Sequence, residues 1–376
     1  MSVPGDAAIT YDSGMQDYLV AGETRTFALG NRGPIRFTDD GNLHPDITEA
    51  YWRCGFYVLE GVLGATELAE IEVDVLDILD RLPSAEGSPV DRQGRPALAL
   101  DCEATTLFWS RPLADTSGGH RPFKMIEPTA AANAPEEIVY LMLGTLQFSE
   151  ALLRTYGHPD LLRVAAAING PDFVPFNEAL IIKEPGLGAS FAWHQDGKTH
   201  WDSEDWDEGI HGFCFMGQLY GSTAANGVWI VPGSHKRGKI DIKALVAEAG
   251  SERLPDAVPV ICAPGDVVIT NFQSLHGSFA NTSQDCRVTV NMGFHRRASV
   301  LGVQGNHRHA APAVYDEDHI AIRSRLIGYA IDARRRHFPH ETPFDYAPYR
   351  GSSDIPVWDE KVMSSLKDYN LRDMSI

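Results

Sequence analysis

Six short apolar runs, each bounded by turn-forming residues, follow one another through the chain after Pro171. They lie at 178–183, 213–220, 227–232, 258–262, 266–272 and 286–294. Each is rich in Val, Ile, Phe or Tyr, is too short for a stable helix, and is punctuated by Gly, Pro, Asn or Asp. A regular series of this kind is the sequence signature of an all-β sandwich or barrel.

The pattern upstream is different. Residues 55–63 (GFYVLEGVL) read as one buried strand, and Leu68, Ile71, Val75, Leu79 and Leu82 recur at helical spacing over 64–82. Further helices are predicted over about 135–156 and 159–167, and another over 317–338. Gly, Pro, Asp and Ser clusters make 84–122 a long excursion, and 339–376 irregular. The expected organisation is a loosely ordered arm over 1–46 and a domain over 47–299. That domain has a helical part at 64–168 and a β core at 171–296, and a C-terminal helical extension over 300–376 packs on it. The fold class is mainly β with flanking α-helices.

Charge narrows the partners. Asp and Glu number 51 against 32 Lys and Arg, a net charge of −19. So acidic a surface repels nucleic-acid backbones and anionic lipid, so neither nucleic acid nor a membrane is an expected partner. No apolar run approaches the roughly 18 residues of a membrane span. The opening MSVPGDAAITYDSG lacks a basic stretch followed by an apolar one, so no secretory leader is expected there. Five cysteines, none in a Cys-x-x-Cys, suit a reducing cytoplasm better than a disulfide framework. Residues 233–239 imitate a phosphate-binding loop, but Ile240 stands where a Ser or Thr is required.

The chemistry sits in a dispersed set of residues. On an extended segment, residues i and i+2 face the same side, so His-x-Asp can offer two ligands to one metal. The chain has four such pairs. His44-Asp46 and His158-Asp160 follow or contain prolines and precede helical patterns, so their aspartates read as helix caps. His200-Asp202 opens an acidic stretch, 202–208, that reads as a solvated charge run. His194-Gln195-Asp196 instead follows a strand and a Pro-Gly approach. Downstream, His276 ends another strand, and Arg287 opens a further one eleven positions later (287 − 276). Two His and one carboxylate can hold iron on one face and leave three positions open. 2-Oxoglutarate chelates through its keto acid end, and its far carboxylate needs a two-pronged donor, which Arg supplies and Lys does not. Ser278 can add a hydroxyl to that carboxylate. Trp193, Trp201, Phe215 and Tyr220 are candidates either for a pocket wall or for core packing. Arg296, Arg297, Arg308 and Arg334 to Arg336 are expected mainly to pair with nearby acids.

The ordered series Gly55–Leu63, Lys183-Glu-Pro-Gly186, Trp193-His-Gln-Asp196, Asn226-Gly227, Pro232-Gly-Ser-His235, Pro264-Gly-Asp266, His276-Gly-Ser278, Asn281-Thr-Ser283 and Arg287 resembles the phytanoyl-CoA dioxygenase family. The resemblance spans roughly 47–296. It implies a double-stranded β-helix, the jelly-roll or cupin-like barrel. It places iron(II) on His194, Asp196 and His276, and 2-oxoglutarate on Arg287 and Ser278, with Gln195 and Lys183 also among the cofactor-binding residues. His235 is not a metal ligand in that family. Met216 departs from it, standing where many members have Trp. Halogenating relatives have Gly or Ala at the carboxylate position, so Asp196 points to hydroxylation. The implied activity consumes 2-oxoglutarate and O2, gives succinate and CO2, and hydroxylates a small molecule such as an acid, an acyl thioester or a natural-product intermediate. The same site in this family also supports desaturation, epimerisation or ring formation, and a non-catalytic jelly-roll binding protein is the alternative of another class. No feature of the sequence points to an oligomeric state.

Overall fold

The computed structural model describes residues 11–117, 123–196, 212–307, 313–372 and 374–375. It opens with helix α1 (Ser13–Phe27), capped by the Asp12 carboxylate, and the short strand β1 (Arg32–Gly33). Thus 13–27, read from sequence as part of a loose arm, is helical. Helix α2 (Pro45–Cys54), strand β2 (Phe56–Leu59) and helix α3 (Ala65–Asp80) follow. Strand β3 (Leu107–Ser110) interrupts the long excursion, and β4 (Ile138–Leu143) precedes helices α4 (Glu150–Tyr156) and α5 (Pro159–Asn169). The helix predicted from about 135 is therefore strand in its first half. Its run IVYLML is continuously apolar, and periodicity cannot separate strand from helix in such a run.

The β core then unfolds in order. It comprises β5 (Val174–Lys183), β6 (Phe191–His194), β7 (Gly212–Gln218), β8 (Trp229–Ile230), helix α6 (Ile242–Ala249), β9 (Val258–Pro259), β10 (Val267–Asn271), β11 (His276–Ser278) and β12 (Arg287–His295). The C-terminal part carries helix α7 (Arg297–Val300), strands β13 (Gln304–His307) and β14 (Ala313–Val314), the long helix α8 (Glu317–His337), helix α9 (Glu360–Ser365) and β15 (Met374–Ser375). No helix among the described residues is long and apolar enough to cross a membrane.

Two sheets make the barrel. One runs β1-β2-β10-β7-β12-β5-β4-β3, the other β6-β11-β8-β9. Period-two alternation gives each sheet two covered faces. Between the sheets, Phe56, Val58, Met216 and Val268 of the larger meet Ile230 and Val258 of the smaller. The outer face of the larger sheet buries Phe213, Phe215, Val288, Val290 and Phe294 against Ile71, Val75, Leu152, Leu161 and Leu326 of α3, α4, α5 and α8. The outer face of the smaller sheet buries Trp193 and Trp229 against Met15 of α1 and Ile242 and Val246 of α6. The result is a jelly roll with helices on both flanks: a sandwich or barrel, as the strand series predicts, and of the kind the family resemblance implies.

Three His-x-Asp pairs expected to be structural divide as follows. At α2 and α5 the caps are the histidines themselves: Asp46 N–H donates to His44 Nδ1, and Leu161 N–H to His158 Nδ1. Asp46 and Asp160 sit in the first turns, where a negative charge meets the helix dipole. His200-Asp202 lies outside the described residues.

His158 and the buried His235 give the fold an acid limit. Burial pushes each down to about 4, helped at His158 by the cationic Arg334. The folded chain therefore binds fewer protons than the unfolded chain. Stability is whole above the unfolded value of 6.5 and falls as pH drops from there to about 4. At roughly 1.4 kcal/mol per unit, each histidine withdraws on the order of 3 kcal/mol by the bottom of that window. Urea unfolding at pH 7 and pH 4.5 is expected to show the loss, and His158→Gln to reduce it. An unchanged midpoint would place both rings in contact with water.

Candidate metal centre

β6 and β11 are antiparallel neighbours with His194 directly opposite His276. The ring centroids lie 4.1 Å apart. Gly277 makes this pairing possible, since a Cβ there would stand 2.9 Å from the Phe191 carbonyl oxygen. Asp196, just past the end of β6, is held by its N–H donating to the Phe272 carbonyl, 2.8 Å away. Its carboxylate faces both rings, with 3.6 Å from Oδ1 to His194 Nε2 and 3.6 Å from Oδ2 to His276 Nε2. One ligand atom from each of the three lies within 4.8 Å of the others.

The rings are oriented from behind. His194 Nδ1 is 2.7 Å from the Ala192 carbonyl oxygen, and His276 Nδ1 is 2.9 Å from that of Ser274. A carbonyl only accepts, so each Nδ1 carries the proton and each Nε2 turns a lone pair toward Asp196. That is how metal-bound histidines are held. Sequence could not name these partners, because they are backbone atoms two residues before each His. Two imidazole lone pairs and one carboxylate on one side of a point, with Asp196 partly open to solvent, suit a divalent iron with free positions.

Two basic side chains are buried on the larger sheet, facing the smaller one. Arg287 of β12 pairs directly across from Lys183 of β5, so both side chains leave the same face. Both are buried, at 1% and 0% exposure. Among the described residues no carboxylate forms an ion pair with either. Burial alone lowers Arg287 to about 10 and pushes Lys183 well below its ordinary range, with Arg287 adding to the effect. Arg287 donates one N–H to the Asn226 carbonyl at 2.7 Å, and Lys183 Nζ donates to Phe279 O at 2.5 Å. Arg287 Nε and Ser278 Oγ are buried with no hydrogen-bond partner among the described residues. Unpaired buried donors and unneutralised buried cations are costly, and a carboxylate ligand would satisfy both.

The described residues thus gather His194, Asp196 and His276 at one place, with Ser278 on the same strand as His276, and Lys183 and Arg287 on the larger sheet, Lys183 reaching Phe279 O next to Ser278. Gln195 goes elsewhere. Its amide donates to the carbonyls of Gly238 (3.0 Å) and Gln273 (2.8 Å), and its Oε1 accepts from Ile240 N–H (2.9 Å). Both donors are spent on backbone carbonyls, and the side chain braces the ligand loop. Trp193 and Phe215 are wholly buried in the two outer clusters, and Tyr220 packs on one of them, so these rings are core and not pocket wall. Trp201, Arg308 and the stretch 202–208 lie outside the described residues. His235 is structural, with its Nε2 bonded to the Trp52 carbonyl. The arginine clusters pair with acids as expected: Arg297 with Glu317, Arg334 with Glu67 and Glu341, and Arg335 and Arg336 with Asp332.

The profile of the phytanoyl-CoA dioxygenase (PhyH) family matches residues 51–289, which include every one of these site residues. The chain belongs to the phytanoyl-CoA dioxygenase family. Membership makes it an oxygenase-type oxidoreductase. Among solved structures, it resembles EctD from S. alaskensis, determined with 2-oxoglutarate and 5-hydroxyectoine. That match has a TM-score of 0.50 and 19% identity over 72% of this chain and 82% of that one. EvdMO1 matches with a TM-score of 0.47 and 21% identity over 66% of this chain and 48% of that one, so the match spans about half its length. AviO1 from Streptomyces viridochromogenes Tue57 matches with a TM-score of 0.46 and 22% identity over 66% and 93%. At such identities the likeness concerns the fold alone. Comparison with curated proteins finds no match.

Proposed function

We propose that this phytanoyl-CoA dioxygenase family member is an iron(II)- and 2-oxoglutarate-dependent dioxygenase that hydroxylates an unactivated C–H bond of a small molecule. The carrying observation is a His-Asp-His donor set whose strand β11 leads through Ser278 to Phe279, the acceptor of Lys183 Nζ, with Lys183 paired across from Arg287 and neither basic group ion-paired among the described residues. His194, Asp196 and His276 would hold the iron, and Arg287, Lys183 and Ser278 the far carboxylate of 2-oxoglutarate. Iron with 2-oxoglutarate supplies the oxidising power, spending O2 and releasing succinate and CO2. The chain does the rest. The Ala192 and Ser274 carbonyls fix the two rings in the tautomer that presents Nε2. Asp196 supplies negative charge and occupies the place that halogenating relatives leave open, which favours hydroxylation. Burial keeps Arg287 from water, so its attraction for a carboxylate is stronger than it would be at the surface. Met216, buried on the barrel's inner face where many members have Trp, gives this chain a smaller wall at that point.

An anaerobic titration with iron(II) and 2-oxoglutarate tests the proposal. The wild-type protein is expected to develop the weak visible charge-transfer band of the chelate. His194→Ala should lose it. Arg287→Lys should keep it, with half-saturation raised about 10–100-fold, because one ammonium cannot reproduce the planar fork. No band in the wild type would refute the cofactor assignment. With the substrate found, one added oxygen in the product mass would support hydroxylation, and loss of two hydrogens would replace it with desaturation.

A further inference from the structure

α1 lies wholly before the family match, which starts at residue 51. Its place in the fold is nonetheless directly behind the site. Alternation along the smaller sheet turns His194, His276 and Ser278 inward, and the neighbour of each turns outward. Those neighbours, Trp193, Leu275 and Phe279, join one buried cluster with Trp229 and Met15, against which Tyr11, Tyr18 and Leu19 pack. The Tyr18 ring stacks on Trp229 at 4.5 Å and meets Phe279 edge-on at 5.8 Å. Gly22 lets the helix come this close, since a Cβ there would stand 2.3 Å from the Trp229 ring. The Tyr18 hydroxyl donates to Leu254 O and the Arg25 guanidinium to Ala257 O. Asp12 pairs with Arg253 at 2.5 Å.

The decisive contact is made by Tyr11. Ala280 N–H donates to its hydroxyl oxygen at 2.9 Å, and its ring meets Phe279 edge-on at 6.3 Å. Ser278 immediately precedes this pair of residues, and the Phe279 carbonyl is the acceptor that fixes Lys183 Nζ. Tyr11 therefore grips the stretch that carries one candidate cosubstrate donor and anchors another.

We infer that the N-terminal segment 11–27 is a positioning element of the cosubstrate site, with Tyr11 as its positioning residue: it holds Ser278-Phe279-Ala280 at the distance from β5 that lets Ser278 and Lys183 act together with Arg287. This rests on the proposed 2-oxoglutarate reading. Without the Tyr11 hydroxyl, the buried Ala280 N–H loses its partner, and the strand must shift to find another.

Two measurements test it on the full chain loaded with iron(II). The first is anaerobic titration with 2-oxoglutarate, and the second is amide hydrogen exchange across 276–281 without cosubstrate. Tyr11→Phe is expected to raise half-saturation about tenfold, the lower range for second-layer contacts, and to speed exchange at Ala280. Protection in β5 and β12 and the melting temperature should stay close to wild type. Asp12→Ala, which loosens the cap and anchor of α1 without touching 278–280, should shift both readouts in the same direction by less. Unchanged half-saturation in both variants would overturn the inference alone. So would affinity loss that merely tracks a fall in melting temperature, since that is general destabilisation. A wild-type protein that binds iron(II) but no 2-oxoglutarate would overturn the proposed function, and this inference with it.

Discussion

Asp196→Ala is expected to abolish turnover, with succinate formation falling at least a thousandfold. The argument is geometric and electrostatic. The carboxylate is the only anionic donor of the three, and its two oxygens lie 3.6 Å from the Nε2 atoms of the two histidines. Removing it leaves two neutral donors for a divalent cation. Outer-layer partners of a metal typically cost 10–100-fold in affinity or activity when lost, and loss of a direct charged ligand costs more. The fold should survive, because the Asp196 side chain is 41% exposed and its structural contact, the hydrogen bond to Phe272 O, is made by its backbone N–H. Iron content after reconstitution, succinate formation and a melting curve on the same sample separate the possibilities. A folded Asp196→Ala protein turning over at the wild-type rate would remove this residue from the centre. Asp196→Glu is the complementary probe. It restores the charge on a side chain one methylene longer, so metal retention with poor turnover is expected.

The parts of the site legible in the sequence were those whose chemistry is carried by side chains at strand ends. His194, Asp196, His276 and Arg287 are recognisable because the runs around them alternate or are continuously apolar, and turns mark their ends. Lys183 is harder to read, since a lysine closing a strand is usually solvated; only the register that sets it opposite Arg287 makes it a partner. The rest was hidden for identifiable reasons. The Nδ1 acceptors are backbone carbonyls and have no residue type. Gln195 sits between two ligands, yet its amide is consumed by Gly238, Gln273 and Ile240, far from it in sequence. α1 buries only Met15, Gly22 and Thr26, too few to write an apolar stripe, and it is held by tertiary contacts such as Tyr18 on Trp229. Aromatic content near the site misleads in the opposite direction: Trp193 adjoins His194 but lies on the other face of its strand, so proximity in sequence is not proximity to the metal.

Glu67→Ala is expected to destabilise the fold by about 3–5 kcal/mol in urea unfolding. Glu67 of α3 holds Arg334 of α8 through both guanidinium ends, Nη1 at 2.6 Å and Nη2 at 3.3 Å. The two side chains are 9% and 4% exposed. Arg334 also meets Glu341 and donates to the Arg154 carbonyl. Without Glu67 its charge stays buried, with the partly exposed Glu341 as its remaining acidic partner among the described residues. The loss should reach the whole domain and not merely fray α8, because Leu326, Ile327, Ala330 and Ala333 of that helix belong to the main core that covers the outer face of the barrel. The double variant Glu67→Met with Arg334→Met discriminates between two accounts of the same contact. Removing both charges removes both desolvation costs, and two apolar side chains of similar length can fill the space, so the double variant should lose less than Glu67→Ala alone. A double variant no more stable than Glu67→Ala alone would mean that the pair contributes net attraction beyond its desolvation cost, and that α8 is held chiefly by charge. A double variant near wild type would leave apolar packing as what fastens α8 to the barrel, with the ion pair selecting how the helix docks.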